Sequence, residues 1–178
     1  MNKEYNILDV KENELLFAGE NDSVIIPCKK DEDGGYDIYA NFPQDYIEIK
    51  PNTTVMIPTK LHCAFNKKWV MLLQERGSTG TKGMGQRAGV IDSGYRGEIS
   101  VPITNSNKVS IFIAKEDSKI RKKEMINENK YVVYPYEKAI CQAIMVEVPN
   151  FNIKRIPLEQ LKSIPSERGE GRLGSSGK

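Results

Sequence analysis

The sequence predicts an all-β protein built as an antiparallel sandwich, barrel or jelly roll, and three observations carry that expectation. Short apolar or alternating runs recur at 23–28, 46–49, 53–58, 69–73, 99–103, 109–114 and 140–148. Pro and Gly punctuate almost every gap between them. No stretch in this region holds an i, i+3, i+4 apolar stripe long enough for a major helix.

Taken in order, the runs are bounded by turn residues. The run at 53–58 closes on Pro58, and Leu61-His62-Cys63-Ala64-Phe65 alternates like an ordinary strand. A short helical turn is expected near 78–82. The segment 115–130 is mostly charged, with Ile120, Met125 and Ile126 as its only apolar residues, so a solvated excursion between strands is expected there. The tail 166–178 is rich in Gly and Ser and has almost nothing to bury. It places cations and hydroxyls among glycines, so backbone N–H groups, Ser oxygens and guanidinium forks could converge on phosphate. The expected organisation is one β domain over 1–165 and a C-terminal arm over 166–178.

Bulk properties narrow the function. With 178 residues and 39% hydrophobic content the chain can bury one sizeable core. Twenty-six Lys plus Arg against 24 Asp plus Glu leave a net charge of +2, which gives no global electrostatic case for nucleic acid or an anionic membrane as partner. No apolar run approaches the roughly 20 residues that span a bilayer, and the first residues lack a signal-peptide core, so a cytoplasmic protein is expected. Cys28, Cys63 and Cys141 are odd in number and set among apolar neighbours, which fits buried reduced thiols; there is no CxxC for a zinc site. The single histidine, His62, lies in the alternating run. Carboxylates, a metal or backbone groups must therefore carry any chemistry.

The most informative stretch is Gly89-Val90-Ile91-Asp92-Ser93-Gly94-Tyr95-Arg96-Gly97-Glu98. Strand-like residues, a turn and a return to extended chain read as a hairpin. Taken singly, Asp92 would cap the turn and Tyr95 would pack beneath it.

Five segments in this order resemble the five motifs of the trimeric dUTPases: Gly34-Gly35-Tyr36-Asp37-Ile38, Glu75-Arg76-Gly77-Ser78-Thr79-Gly80, the run 89–98, Ala139-Ile140-Cys141-Gln142-Ala143-Ile144, and the tail from Arg168. The resemblance spans most of the chain, and the third segment alone is highly specific. It implies a distorted jelly roll of the β-clip type and a homotrimer whose chains share active sites. The implied reaction is hydrolysis of dUTP to dUMP and pyrophosphate, which limits uracil in DNA and supplies dUMP for dTMP synthesis.

The same resemblance assigns roles. Asp92 would activate the water that attacks the α-phosphorus, as carboxylates can. Gly89, Val90 and Ile91 would read the uracil edge through backbone groups, and Tyr95 would lie under the deoxyribose. Arg76, Gly77, Ser78, Gln142 and Arg168 would meet the triphosphate, with Leu173 over the base and Gly174, Ser175 and Ser176 at the terminal phosphate. Mg²⁺ would be held by phosphates and water rather than by direct protein ligands, with Asp37 in its outer shell or supporting the site.

Departures from the motif pattern are specific. Gly77 stands where a serine is usual, so Ser78 or a backbone N–H takes the phosphate role. Leu173 replaces a capping Phe and Arg172 a glycine, which predicts a looser lid. Gly94 stands where relatives often carry a second acid. The spacer between Asp92 and Gln142 is long, and its surplus falls in 115–130, where some phage members carry an insert and bind repressor proteins. A phage or prophage origin with a protein partner on that insert is the regulatory expectation. The rival enzyme is dCTP deaminase, a same-fold relative; its catalytic glutamate aligns with Pro102, and proline cannot move a proton.

Overall fold

The computed structural model describes residues 10–124 and 130–171, and the chain forms two compact units, Met1–Val148 and Pro149–Lys178. The first unit contains β1 (Leu15–Gly19), β2 (Tyr36–Ile38), β3 (Tyr46–Ile49), β4 (Thr54–Ile57), β5 (Leu61–Phe65), β6 (Trp69–Gln74), α1 (Gly77–Gly80), β7 (Met84–Gln86), β8 (Val90–Ile91), β9 (Val101–Asn105), β10 (Ile111–Ala114), α2 (Lys119–Glu124), β11 (Val132–Pro135) and β12 (Cys141–Glu147). The second unit carries α3 (Leu158–Lys162) and an ion pair of 2.7 Å between Lys162 and Glu170.

Four small sheets account for the strands: β1–β5, β11–β10–β3, β2–β12–β6–β8 and β4–β9–β7. Period-two alternation turns one face of each strand inward. Leu61, Cys63 and Phe65 are buried along β5, Met71 and Leu73 along β6, and Ile111 and Ile113 along β10. These meet Ile38, Ile49, Ile57, Ile99, Ile103 and Tyr134 in one core. Asn105 is fully buried yet satisfied, because its amide donates to the carbonyls of Ile49 and Val109 at 2.8 Å each.

The strand expectations hold at 46–49, 53–58, 69–73, 109–114 and 140–148 within a residue or two, and the helical turn forms as α1. Three differ. Residues 23–28 make no strand: Val24 closes a turn on Asn21, and Ile25, Ile26 and Cys28 are exposed, so Cys28 is not the buried thiol the sequence suggested. The 99–103 strand begins two residues later, because Ile99 bonds instead to the backbone of Leu61 and to the Thr59 hydroxyl. Third, residues 115–124 leave the sheet as the expected excursion but carry α2 and one buried residue, while 125–129 lie outside the described residues.

The reason is topological. β10 and β11 pair in parallel, whereas every other described pairing is antiparallel. Parallel neighbours need a crossover of a dozen or so residues, and the charged segment supplies it. Ser118 is buried, and its hydroxyl accepts the Arg121 backbone N–H at 3.3 Å as an N-cap of α2, which packs on β10 and β11.

The run 89–98 is a turn rather than a self-paired hairpin. β8 pairs with β6, and residues 96–100 form no strand. The Tyr95 N–H closes the turn on the Asp92 carbonyl at 3.0 Å. Beyond the turn, the Glu98 carboxylate accepts the backbone N–H groups of Thr59 and Lys60 at 2.9 and 2.8 Å. Lys60 sits in the left-handed region (φ 56°), so this carboxylate also holds a conformation costly for a side-chain-bearing residue.

His62 fastens the same segment from β5. Its Nδ1 lies 2.9 Å from the Arg96 carbonyl and its Nε2 3.3 Å from Glu20. The bond to the Arg96 carbonyl, then the Glu20 carboxylate, raise its pKa above the ordinary value of about 6.5 against the opposing effect of burial. A raised folded-state pKa stabilises the protein when the ring is charged. That contribution is complete below the unfolded value and fades as pH rises through the elevated one. Urea unfolding of His62→Gln should therefore show its largest deficit against wild type in mild acid, shrinking toward alkaline pH; a deficit that grows with pH would contradict this.

Candidate functional site

Strand register assembles the first cluster. In the sheet β2–β12–β6, Gln142 stands opposite both Asp37 and Gln74, so the end of β6 arrives beside the two polar residues. Arg76, two residues past β6, forms a two-contact pair with Asp37: Nε to Oδ1 at 2.8 Å and Nη2 to Oδ2 at 3.1 Å. Its Nη1 donates to the Ser78 hydroxyl at 3.2 Å, and Ser78 lies 3.4 Å from the Tyr134 hydroxyl. Gln142 donates from Nε2 to the Glu75 carbonyl at 2.8 Å. A side chain at Gly35 would press on the Gln142 amide, its Cβ falling 2.8 Å from Oε1, so glycine is what lets that amide lie flat over the turn.

These residues open on a cavity of about 580 Å³ lined by Asp37, Tyr39, Arg76, Gly77, Ser78, Lys138 and Gln142, among others. Gly77 and Ser78 both reach it, so the two alternatives left by the motif comparison share one wall. Burial and then the Asp37 carboxylate push the Tyr39 phenol pKa upward, which keeps it a neutral donor. Burial pushes Cys141 behind this cluster to about 12 and Cys63 to about 11, so both behave as inert core thiols.

The second cluster is separate. Val90, Ile91, Asp92 and Tyr95 line a cavity of about 240 Å³ with Met56, Glu98 and Ser100. It shares no lining residue with the first. Gly89 lets β8 lie against β6: its carbonyl accepts the Leu73 N–H at 2.7 Å, and a Cβ there would collide with the Leu73 carbonyl. Tyr95 folds over Gly97, where a Cβ would strike its ring, and donates its hydroxyl to the Glu98 carbonyl at 2.9 Å. β8 is the outermost strand of its sheet, so one edge of Val90 and Ile91 pairs with β6 and the other has no strand partner among the described residues; both residues line this cavity.

Arg168 belongs to the second compact unit, where its Nε donates to the Gly171 carbonyl at 3.1 Å. Arg172, Leu173, Gly174, Ser175 and Ser176 lie outside the described residues. Met56, Ser100, Tyr39, Glu137 and Lys138 line the cavities without having been singled out from sequence. Met56 and Ser100 sit on or near strands whose facing direction needs the register, and the turn at 136–138 has no motif of its own. Among the described residues no group of three or more His, Cys, Asp or Glu could hold a metal ion, and no helix is long and apolar enough to cross a membrane.

Comparisons with known proteins bear on the family and the fold. The chain is 34% identical over 101 residues to the Pol polyprotein of caprine arthritis encephalitis virus, a match covering 57% of this chain and 9% of that polyprotein. It is 26% identical over 171 residues to a deoxyuridine 5'-triphosphate nucleotidohydrolase of Neisseria meningitidis serogroup B, covering 93% of this chain and 97% of that one. Its fold is similar to that of the Staphylococcus bacteriophage 80alpha dUTPase solved with dUPNHPP, at 25% identity and a TM-score of 0.71, covering 93% of this chain and 99% of that one. The family model for dUTPase matches residues 21–120, more than half of the sequence, and the chain belongs to the dUTPase family.

Proposed function

We propose that this chain, a phage-type member of its family, hydrolyses dUTP to dUMP and pyrophosphate in sites that form only between copies of a homotrimer. The observation that carries the reading is the division of the polar groups between two cavities with no common wall. One holds a carboxylate beside a backbone edge; the other holds a guanidinium, a hydroxyl and an amide. A triphosphate ester needs both sets, so a neighbouring chain brings the second.

In this reading the backbone at Gly89, Val90 and Ile91 reads uracil along the outer edge of β8, and mismatched polar edges are rejected because they leave those groups unsatisfied. Tyr95, held over Gly97, underlies the sugar. Asp92 takes a proton from water as the oxygen attacks the α-phosphorus, and the bond to the bridging oxygen breaks to release pyrophosphate. Arg76, Ser78 or the Gly77 N–H, and Gln142 hold the phosphate oxygens in line for that attack.

The family works with a divalent metal, and Mg²⁺ suits this donor set: the Asp37 carboxylate reaches the phosphate cavity but is already committed to Arg76, which fits an outer-shell role better than direct ligation. When bound, the ion supplies charge neutralisation on the triphosphate. Pro102, buried mid-strand in β9, leaves the deaminase alternative without its acid–base group. A protein partner on the 115–130 insert is the regulatory extension of the same reading, and the cytoplasm is its compartment.

The arm 166–178, with Arg168, Leu173, Gly174, Ser175 and Ser176, closes over the bound nucleotide and excludes water. Asp92→Asn should lower pyrophosphate release from dUTP by about 10²-fold or more while the variant still binds a non-hydrolysable analogue; near wild-type turnover would remove Asp92 from the chemistry. Truncation of residues 166–178 should lower turnover sharply and leave a folded trimer by light scattering. Full activity of the truncated chain would refute the lid.

A further inference from the structure

Lys138 follows Glu137 on the turn between β11 and β12, and both line the cavity that holds Arg76, Ser78 and Gln142. The charges there are unequal in freedom. Arg76 is matched by Asp37 through two contacts, so an incoming anion meets that pair as nearly neutral. Glu137 is held by the crossover on both oxygens: Arg121 of α2 contacts Oε2 at 2.6 Å, and the Glu116 N–H donates to Oε1 at 3.2 Å. Lys138 makes no ion pair with any described residue.

The backbone beneath Lys138 is fixed. Its N–H closes on the Pro135 carbonyl at 3.1 Å, and the fully buried Tyr134 donates its hydroxyl to the Ala139 carbonyl at 2.6 Å. The turn is thus anchored on both sides while Lys138, which lines the cavity, stays exposed.

We propose that Lys138 is a polyphosphate-binding residue of this site and that Arg121, by holding Glu137, is a positioning residue that keeps Lys138 unpaired. The assignment rests on the reading of this cavity as the phosphate site. It gives the 115–124 crossover a role inside its own chain: without Arg121, the Glu137 carboxylate would turn to its neighbour Lys138 and place a negative charge where phosphate is to bind.

Calorimetric titration of the full-length protein with inorganic pyrophosphate at low ionic strength, with deoxyuridine as the uncharged control, tests both parts. Lys138→Ala should weaken pyrophosphate binding about tenfold and Lys138→Arg should preserve it, with deoxyuridine binding unchanged in both. Arg121→Ala should weaken pyrophosphate a few-fold, roughly, and adding Glu137→Gln should restore it, an outcome that a misfolded Arg121→Ala could not give. Wild-type affinity in Lys138→Ala would overturn the assignment, and failure of Glu137→Gln to rescue would overturn the role of Arg121. If Lys138→Ala loses pyrophosphate affinity while the wild type does not turn over dUTP, the polyphosphate site stands and the catalytic reading of Asp92 falls.

Discussion

The two-contact pair between Asp37 and Arg76 is the interaction on which the geometry of the first cluster depends. β2 and β6 flank β12, so the pair reaches across β12 and encloses Gln142 between its partners. Both side chains are about a third exposed, which makes the pair a modest contributor to stability. Its worth is in direction: a guanidinium fork held by two contacts has one orientation, and its remaining Nη1 points at Ser78. A one-residue slip of β12 would turn Gln142 to the opposite face and dissolve the cluster.

The second cluster depends on close approach rather than charge. Gly89 admits β8 against β6, Gly97 admits the Tyr95 ring, and Glu98 ties the exit of the turn to the backbone of Thr59 and Lys60. These supports belong to a different part of the chain from the Asp37–Arg76 cluster, and the two cavities have no residue in common. In the proposed reading each chain therefore lends its two halves to different sites, and assembly is part of the catalytic design.

Much of this was legible from sequence because strand alternation and motif order are local. The runs at 46–49, 69–73 and 140–148 became strands, and Asp37, Arg76, Ser78 and Gln142 came together as their motifs implied. What escaped was non-local. Nothing in the run 89–98 says that β8 pairs with β6 instead of with its own continuation. The charged segment looked solvated because its composition hides a crossover: only the parallel pairing of β10 with β11 explains why Ser118 is buried and Arg121 is spent on Glu137. Cys28 looked like a core thiol because Val24, Ile25 and Ile26 precede it, yet only Val24 packs on the core, while Ile25, Ile26 and Cys28 lie exposed outside any strand.

Subunit mixing measures directly whether the site is divided between chains. Arg76→Ala and Asp92→Asn, each purified as an inactive protein, are unfolded together and reassembled at equal concentration. Random reassembly makes most trimers mixed, and each mixed trimer holds one site with both halves intact, so about a quarter of wild-type dUTP turnover should return. Activity no greater than the sum of the two parents would show that both halves serve the same chain.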